Sequence, residues 1–210
     1  MDERFLKRWI FATTLGFNVG GFVGLVVFYT LLGSIGGSDL SRMFISSALA
    51  SSFGGTFLGF AQWTVLRGYI VNIRRWILAT TGSIIIFFCT LCPLYLIICL
   101  NLNIVGIPNP LLVCLALLGI LTMGIAQGGV LGKSKIWQWL LATFMGFVGL
   151  AIIGCLFFAL EWFVAEKLPF KHTWGTLGGE VLCGLILGGI TGAATYGAIT
   201  GKALIDILKN

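Results

Sequence analysis

Long hydrophobic segments separated by short polar loops dominate the pattern of this chain. Runs without a charged residue cover 9–38, 43–66, 76–132, 136–160 and 181–201. A bilayer-spanning helix needs about 20 apolar residues, so each run is long enough for one span and the third for two. The Asn and Pro residues within 101–110 supply the turn in that run, because neither continues a lipid-facing helix cheaply. The pattern predicts an all-α integral membrane protein with six transmembrane helices, near 9–32, 42–66, 76–100, 110–131, 137–163 and 174–200.

Composition and charge agree with this class. The chain is 58% hydrophobic and 10% charged, with a mean hydropathy of +1.04. Of its 13 Lys and Arg residues, all but Arg42, Lys167 and Lys171 fall on one side of the predicted topology. The positive-inside rule therefore predicts that both termini are cytoplasmic. Topology and lipid headgroups account for the net charge of +6, which requires no nucleic-acid partner.

Two short motifs recur along the chain. Gly59-Phe-Ala-Gln-Trp-Thr-Val-Leu-Arg67 precedes Trp76-Ile-Leu-Ala-Thr80, and Gly124-Ile-Ala-Gln-Gly-Gly-Val-Leu-Gly132 precedes Trp139-Leu-Leu-Ala-Thr143. Weaker copies are Gly192-Ala-Ala-Thr-Tyr-Gly-Ala-Ile-Thr200 and Trp9-Ile-Phe-Ala-Thr13. A long fixed period indicates a repeated structural unit. We predict three repeated helical hairpins, approximately 1–67, 68–132 and 133–204, which form a single transmembrane domain, 1–210, with a pseudo-threefold axis along the membrane normal.

The polar residue of the first motif is Gln62, Gln127 or Thr195, and it lies on a helix face rich in small residues. A side-chain amide inside a membrane must find hydrogen-bond partners. One interpretation is a polar ring that lines a vestibule or holds a ligand. The other is an interhelical clamp, in which each amide bonds a backbone carbonyl or a Thr such as Thr13, Thr80 or Thr143, and its recurrence in every unit favours this second interpretation.

The tryptophan of the second motif recurs as Trp9, Trp76 and Trp139, each at the cytoplasmic start of a predicted span. Tryptophan is enriched at membrane–water interfaces, where its amphipathic ring lies among the headgroups. We therefore expect these three residues to be interface anchors.

Candidate chemistry is scarce in the sequence. Glu161 and Glu180 are acids within predicted spans, and an intramembrane carboxylate is a functional candidate by default. They suit interfacial salt bridges with nearby lysines. The alternatives are proton or cation handling by Glu180, or pigment ligation by a polar side chain. His172 is the only histidine, and the Cys89-Thr-Leu-Cys92 pair is interpreted as buried apolar packing rather than a redox or metal site. The sequence predicts no metal site and no cofactor.

The strings Gly-x-Ala-Gln-Trp-x-Val-Leu-Arg and Trp-x-x-Ala-Thr resemble those of a family of small multi-span membrane proteins of cyanobacteria and other bacteria. The match is strongest over 59–82 and 124–146. The resemblance implies a bacterial plasma or thylakoid membrane location and assigns no catalytic residue.

Two classes of function remain open. Apolar outer faces and short loops favour a non-enzymatic membrane scaffold or accessory subunit, which binds membrane-protein partners or further copies of itself within the lipid bilayer. The alternative is a small-solute channel or transporter, with the polar ring and Glu180 along its path. A continuous polar cavity would support transport, whereas a solid, tightly packed centre would support scaffolding.

Overall fold

The computed structural model describes residues 3–36, 39–70, 73–87, 110–167 and 177–209, and these residues are almost entirely helical. No strand occurs within these ranges. The helices are α1 (Glu3–Ser34), α2 (Asp39–Leu66), α3 (Ile73–Ile86), α4 (Pro110–Leu131), α5 (Ile136–Lys167) and α6 (Leu177–Lys209), with a short 3₁₀ helix, Lys133–Lys135, before α5.

Three helical segments are long and apolar enough to cross a membrane. They are Glu3–Ser34, Phe44–Leu66 and Lys133–Ile153, and Leu117–Leu131 is a shorter apolar helix of the same character. The prediction of helices is therefore confirmed for the described residues, and three of these helices have the length and apolar character that a membrane span requires. Parts of the spans predicted near 76–100 and 174–200 lie outside the described residues.

The helices pack in a closed order. Each described helix contacts its neighbours in chain order, and α6 also packs against α1. Hydrogen bonds join residues near the starts of α1, α3 and α5 to residues near the ends of α6, α2 and α4, so adjacent helices run antiparallel. One end of the bundle therefore collects the starts of the odd helices and the ends of the even ones, and we call it the tryptophan end after Trp9, Trp76 and Trp139.

Glycine allows close approach at several helix crossings. A Cβ atom built on Gly20 would lie 2.6 Å from the Gly54 carbonyl oxygen across the α1–α2 contact, and one built on Gly55 would lie 2.8 Å from Thr81 Cα across the α2–α3 contact. Without a side chain, two backbones approach closely and gain dispersion contacts that drive helix association in lipid.

Large apolar side chains cover the outside of the bundle. Phe11, Phe22 and Leu78 are each more than 60% exposed. Most of the buried hydrophobic side chains at the tryptophan end form one cluster, which includes Phe5 and Leu204. An apolar exterior around a packed interior is the arrangement that hydrocarbon solvates well, because lipid tails are as apolar as the side chains they meet.

Candidate functional site

Three tryptophan side chains meet in the interior of the tryptophan end. Their ring centroids are 6.2 Å apart for Trp9 and Trp76, 6.4 Å for Trp9 and Trp139, and 5.5 Å for Trp76 and Trp139. The rings pack edge to face, which is a favourable arrangement because the positive edge of one ring meets the negative face of another. Since each ring comes from a different odd-numbered helix, this tryptophan triad fills the point where α1, α3 and α5 converge.

The burial of the triad differs from the expectation that these residues anchor the chain among headgroups. No more than 1% of the surface of Trp9, Trp76 or Trp139 is exposed. The physical reason is the closed helix order, which turns the starts of the three odd helices towards a common centre. The indole rings contact one another and present no face to lipid.

Each indole nitrogen donates a buried hydrogen bond to an even-numbered helix. Trp76 Nε1 donates to Gln62 Oε1 at 3.1 Å, Trp139 Nε1 to Gln127 Oε1 at 3.2 Å, and Trp9 Nε1 to Thr200 Oγ1 at 3.1 Å. A buried indole N–H needs an acceptor. Here each acceptor lies on the even-numbered helix that precedes the tryptophan helix in the closed order. The bonds therefore tie α2 to α3, α4 to α5 and α6 to α1.

Thr200, and not Thr195, is the third acceptor. Thr195 is half-buried, and its hydroxyl donates within its own helix to the Thr191 carbonyl oxygen at 2.9 Å. A ring of Gln62, Gln127 and Thr195 is therefore not the arrangement observed.

The reason lies in which glycine of α6 approaches α1. A Cβ atom on Gly197 would lie 3.1 Å from Ile10 Cα, as one on Gly59 would lie 3.2 Å from Ile77 Cα. Gly197 thus takes the position expected of Gly192, and Thr200 follows it by three residues. The sequence carried a signal for this, because Gly197-x-x-Thr200-x-x-x-Leu204 has the spacing of Gly59-x-x-Gln62-x-x-x-Leu66.

Gln127 makes a second interhelical bond. Its Nε2 atom donates to Thr80 Oγ1 at 2.8 Å, and that hydroxyl donates to the Trp76 carbonyl oxygen at 3.0 Å. The Gln127 amide therefore joins three helices, with Trp139 on α5 and Thr80 on α3. Both polar atoms of this fully buried side chain are satisfied, as the low dielectric of the interior requires.

The corresponding polar atoms of the other two units lack such a bond. Thr13 and Thr143 follow their tryptophans by four residues, as Thr80 does. Within the described part of the chain, Thr13 Oγ1, Thr143 Oγ1, Gln62 Nε2 and the Tyr196 hydroxyl have no hydrogen-bond partner of good geometry, although the Tyr196 hydroxyl lies beside Thr143. We call the side chains at this level, Gln62, Gln127, Thr200, Thr13, Thr80 and Thr143, the polar layer. Gln127 and Thr80 are fully hydrogen-bonded in it, whereas Gln62, Thr13 and Thr143 each have an atom without a partner among the described residues.

A second aromatic cluster lies deeper in the bundle. Phe17 and Phe147 each follow the tryptophan of their helix by eight residues, and both contact the ring of Tyr196, at centroid distances of 5.4 and 4.9 Å. Phe17 and Phe147 are themselves 6.4 Å apart. Three aromatic rings from α1, α5 and α6 therefore pack on the interior side of the tryptophan triad.

The two predicted intramembrane acids, Glu161 and Glu180, have side chains outside the described residues. Glu161 lies on α5 and Glu180 on α6. His172 and the Cys89–Cys92 pair also lie outside them.

Basic side chains surround the tryptophan end. Most are exposed, and Lys135 Nζ donates to the Ile207 carbonyl oxygen at 2.5 Å. This cation meets the last turn of α6, where the helix dipole favours positive charge. Lys7 pairs with Glu3 at 2.8 Å on the exposed surface.

No family model, curated protein or solved structure matches this chain. The resemblance of the motif residues to a family of bacterial membrane proteins therefore stays a prediction.

Proposed function

We propose that this protein is a non-enzymatic integral membrane scaffold or accessory subunit, built as a single domain of six transmembrane helices with both termini in the cytoplasm. The observation that carries the proposal is the tryptophan triad, which fills the centre of the bundle where a solute path along the axis would have to pass. We place the protein in a bacterial plasma membrane or thylakoid membrane on the strength of the motif resemblance.

Recurring contacts support three hairpins related by a pseudo-threefold axis. The glycines that approach the residue after each tryptophan are Gly59 at Ile77, Gly124 at Leu140 and Gly197 at Ile10. The residues just before these glycines are Leu58, Met123 and Tyr196, and all three are buried. Equivalent positions therefore make equivalent contacts in each hairpin, which is the behaviour of a repeated unit that buries its face against its neighbours.

The polar layer supports a structural role for its glutamines. Gln62 and Gln127 bond tryptophans on neighbouring helices, and their side chains are fully buried. Each such bond in a membrane contributes about 1 kcal/mol. Together with the apolar exterior, this rigid centre suits lateral association with other membrane helices or with further copies of the chain.

Purification of the native protein in mild detergent tests the proposal. We expect a particle larger than a monomer of 22.6 kDa with its detergent, either with partner proteins or as a homo-oligomer. Cross-linking in intact membranes before solubilisation controls for assembly in the detergent. A monodisperse monomer under both conditions contradicts the proposal.

A small-solute channel or transporter is the second candidate. The observation that favours it is the group of unpaired buried polar atoms, which includes Gln62 Nε2 and Tyr196 hydroxyl. If the triad is a gate, Trp139→Ala should raise solute flux in proteoliposomes, and Glu180→Gln should abolish it. Flux equal to that of empty liposomes for both variants and for the unaltered chain would exclude this candidate for the solutes tested.

Labelling of single cysteines tests the proposed topology. In a cysteine-free background, Arg75→Cys should react only from the cytoplasmic side and His172→Cys only from the outer side. Reaction of both from the same side contradicts six spans with cytoplasmic termini.

A further inference from the structure

An open groove runs along the outer surface between α1 and α2, starting at the tryptophan end. We propose that it holds one acyl chain of an anionic phospholipid, whose phosphate lies between the guanidinium groups of Arg8 and Arg67. This lipid site is independent of whether the protein acts as a scaffold or a channel.

The groove has the surface of an acyl-chain site and the length for the part of the chain nearest the headgroup. Its volume is about 270 Å³, and its lining is almost entirely apolar, with Phe11, Leu15 and Val19 from α1 facing Phe57 and Phe60 from α2. Eight residues separate Phe11 from Val19, so the groove is about 12 Å long at about 1.5 Å per residue. Aromatic rings form its walls, and the small residues Gly16 and Ala61 form its floor.

Both arginines lie at the open end of the groove by helical periodicity. Arg8 precedes Phe11 and Ala12 by three and four residues, so it shares their helix face. Arg67 follows Thr64 by three residues, and its N–H bonds to the Trp63 carbonyl oxygen at 2.9 Å, which continues the helical geometry beyond α2. The apolar floor thus ends at two cations, where the membrane surface meets the tryptophan end.

The two guanidinium groups are available to an anion. Both side chains are exposed, and within the described residues neither has an ion-pair or side-chain hydrogen-bond partner. The acidic residue nearest in sequence to Arg8, Glu3, pairs with Lys7. Arginine presents a planar set of N–H donors that matches the oxygens of a phosphate.

The combination of features favours an anionic phospholipid over other occupants. A transmembrane helix would fill the apolar groove but would leave the arginines without an anion. A zwitterionic phospholipid would bring its own ammonium group towards the two guanidinium groups. A free phosphate would satisfy the arginines but would leave the groove open, whereas an anionic lipid matches both parts at once.

Native mass spectrometry of the full chain in detergent tests the site with phosphatidylglycerol and phosphatidylcholine as probes. We expect one phosphatidylglycerol to be retained per chain in preference to phosphatidylcholine. Since each basic residue near an anionic lipid surface is worth about fivefold in affinity, Arg8→Gln with Arg67→Gln should weaken retention about 30-fold.

The matched control is Arg74→Gln with Arg75→Gln, which removes the same charge from the tryptophan end but from α3, outside the groove. This control should keep most of the affinity. An equal loss in both double variants would show non-specific attraction to the basic end and would overturn the proposal.

A third variant separates the headgroup from the chain. Leu15→Trp enlarges an exposed lining side chain away from the close α1–α2 crossing and leaves both arginines, so it should also weaken retention of phosphatidylglycerol. Unchanged retention in this variant, or displacement of the lipid by glycerol 3-phosphate at equal concentration, would show that the site binds an anion alone and would overturn the proposal. Equal melting temperatures in lipid-free detergent establish that the variants are folded.

Discussion

The α1–α2 and α5–α6 pairs use glycine differently at corresponding positions. Gly16 and Gly146 both follow the tryptophan of their helix by seven residues. A Cβ atom on Gly16 would lie 2.9 Å from the backbone Cα of Leu58, whereas one on Gly146 would lie 2.6 Å from the ring of Tyr196. The first pair packs helix backbone against helix backbone, and the second packs a large side chain into a notch.

The difference indicates which contacts can adapt to a substitution. A backbone contact has no rotamer to change, so an added side chain must move a whole helix. A ring in a notch can be replaced by a smaller side chain, which restores the space. Both solutions give tight helix packing in lipid, but only the second leaves the separation of the helices dependent on one side chain.

The largest effect is expected where the α1–α2 backbones are closest. Gly20→Leu places side-chain atoms where even a Cβ would lie 2.6 Å from the Gly54 carbonyl oxygen, so the two helices must separate. Overpacking typically costs about 1–3 kcal/mol, and we expect the upper part of this range as a lower melting temperature in detergent.

Gly21→Leu is the matched control, because a Cβ there meets nothing within 4 Å. The neighbouring glycine tests whether the effect comes from packing rather than from the loss of helical glycine. Equal destabilisation by Gly20→Leu and Gly21→Leu would contradict the backbone contact between α1 and α2.

A double-mutant cycle sharpens the contrast between the pairs. Gly146→Ala should destabilise the protein alone but should be rescued by Tyr196→Leu, with a coupling of about 0.5–3 kcal/mol, as for residues in contact. Gly16→Ala with Leu58→Ala should show little coupling, because the backbone Cα of Leu58 stays in place. Thermal unfolding of the single and double variants gives both coupling energies, and equal couplings would remove the distinction.

The glutamine layer offers a comparison of the same residue type in two hairpins. Gln127 has two buried interhelical partners, Trp139 and Thr80, whereas the Gln62 amide nitrogen has none among the residues that the structure describes. Gln127→Leu should therefore destabilise the protein more than Gln62→Leu, by about 1 kcal/mol for one membrane hydrogen bond. Chemical or thermal unfolding in detergent measures the difference, and a larger effect for Gln62→Leu would contradict it.

The sequence predicted much of the helical pattern because long apolar runs determine where helices can exist in lipid. It also placed Trp9, Trp76 and Trp139 at corresponding positions. It did not predict that their rings meet, because the face that each odd helix turns towards the centre is determined by the packing of whole helices and not by the local motif. Burial among the odd helices removes the three rings from contact with lipid.

The third polar residue was misassigned for a related reason. The local string around Thr195 resembles the glutamine motif in its Ala-Ala step, but the position of a residue in the layer is determined by the glycine that approaches the partner helix. Gly197 approaches Ile10, so Thr200 rather than Thr195 faces Trp9. Both Gly192-x-x-Thr195-x-x-x-Ile199 and Gly197-x-x-Thr200-x-x-x-Leu204 approximate the spacing of the glutamine motif. The packing of Gly197 against α1 selects the second of them.

The smallest expected effect tests this correction directly. Thr200→Val keeps the size of the side chain but leaves the buried Trp9 indole N–H without its acceptor, which should cost about 1 kcal/mol. Thr195→Val is the matched control on the same helix, because the Thr195 hydroxyl bonds only the Thr191 carbonyl oxygen of its own helix, and it should cost less than about 0.5 kcal/mol as a change without an interhelical bond. Thermal unfolding in detergent compares the two variants. A larger loss of stability for Thr195→Val would restore the original assignment and would place Thr195, not Thr200, in the layer with Gln62 and Gln127.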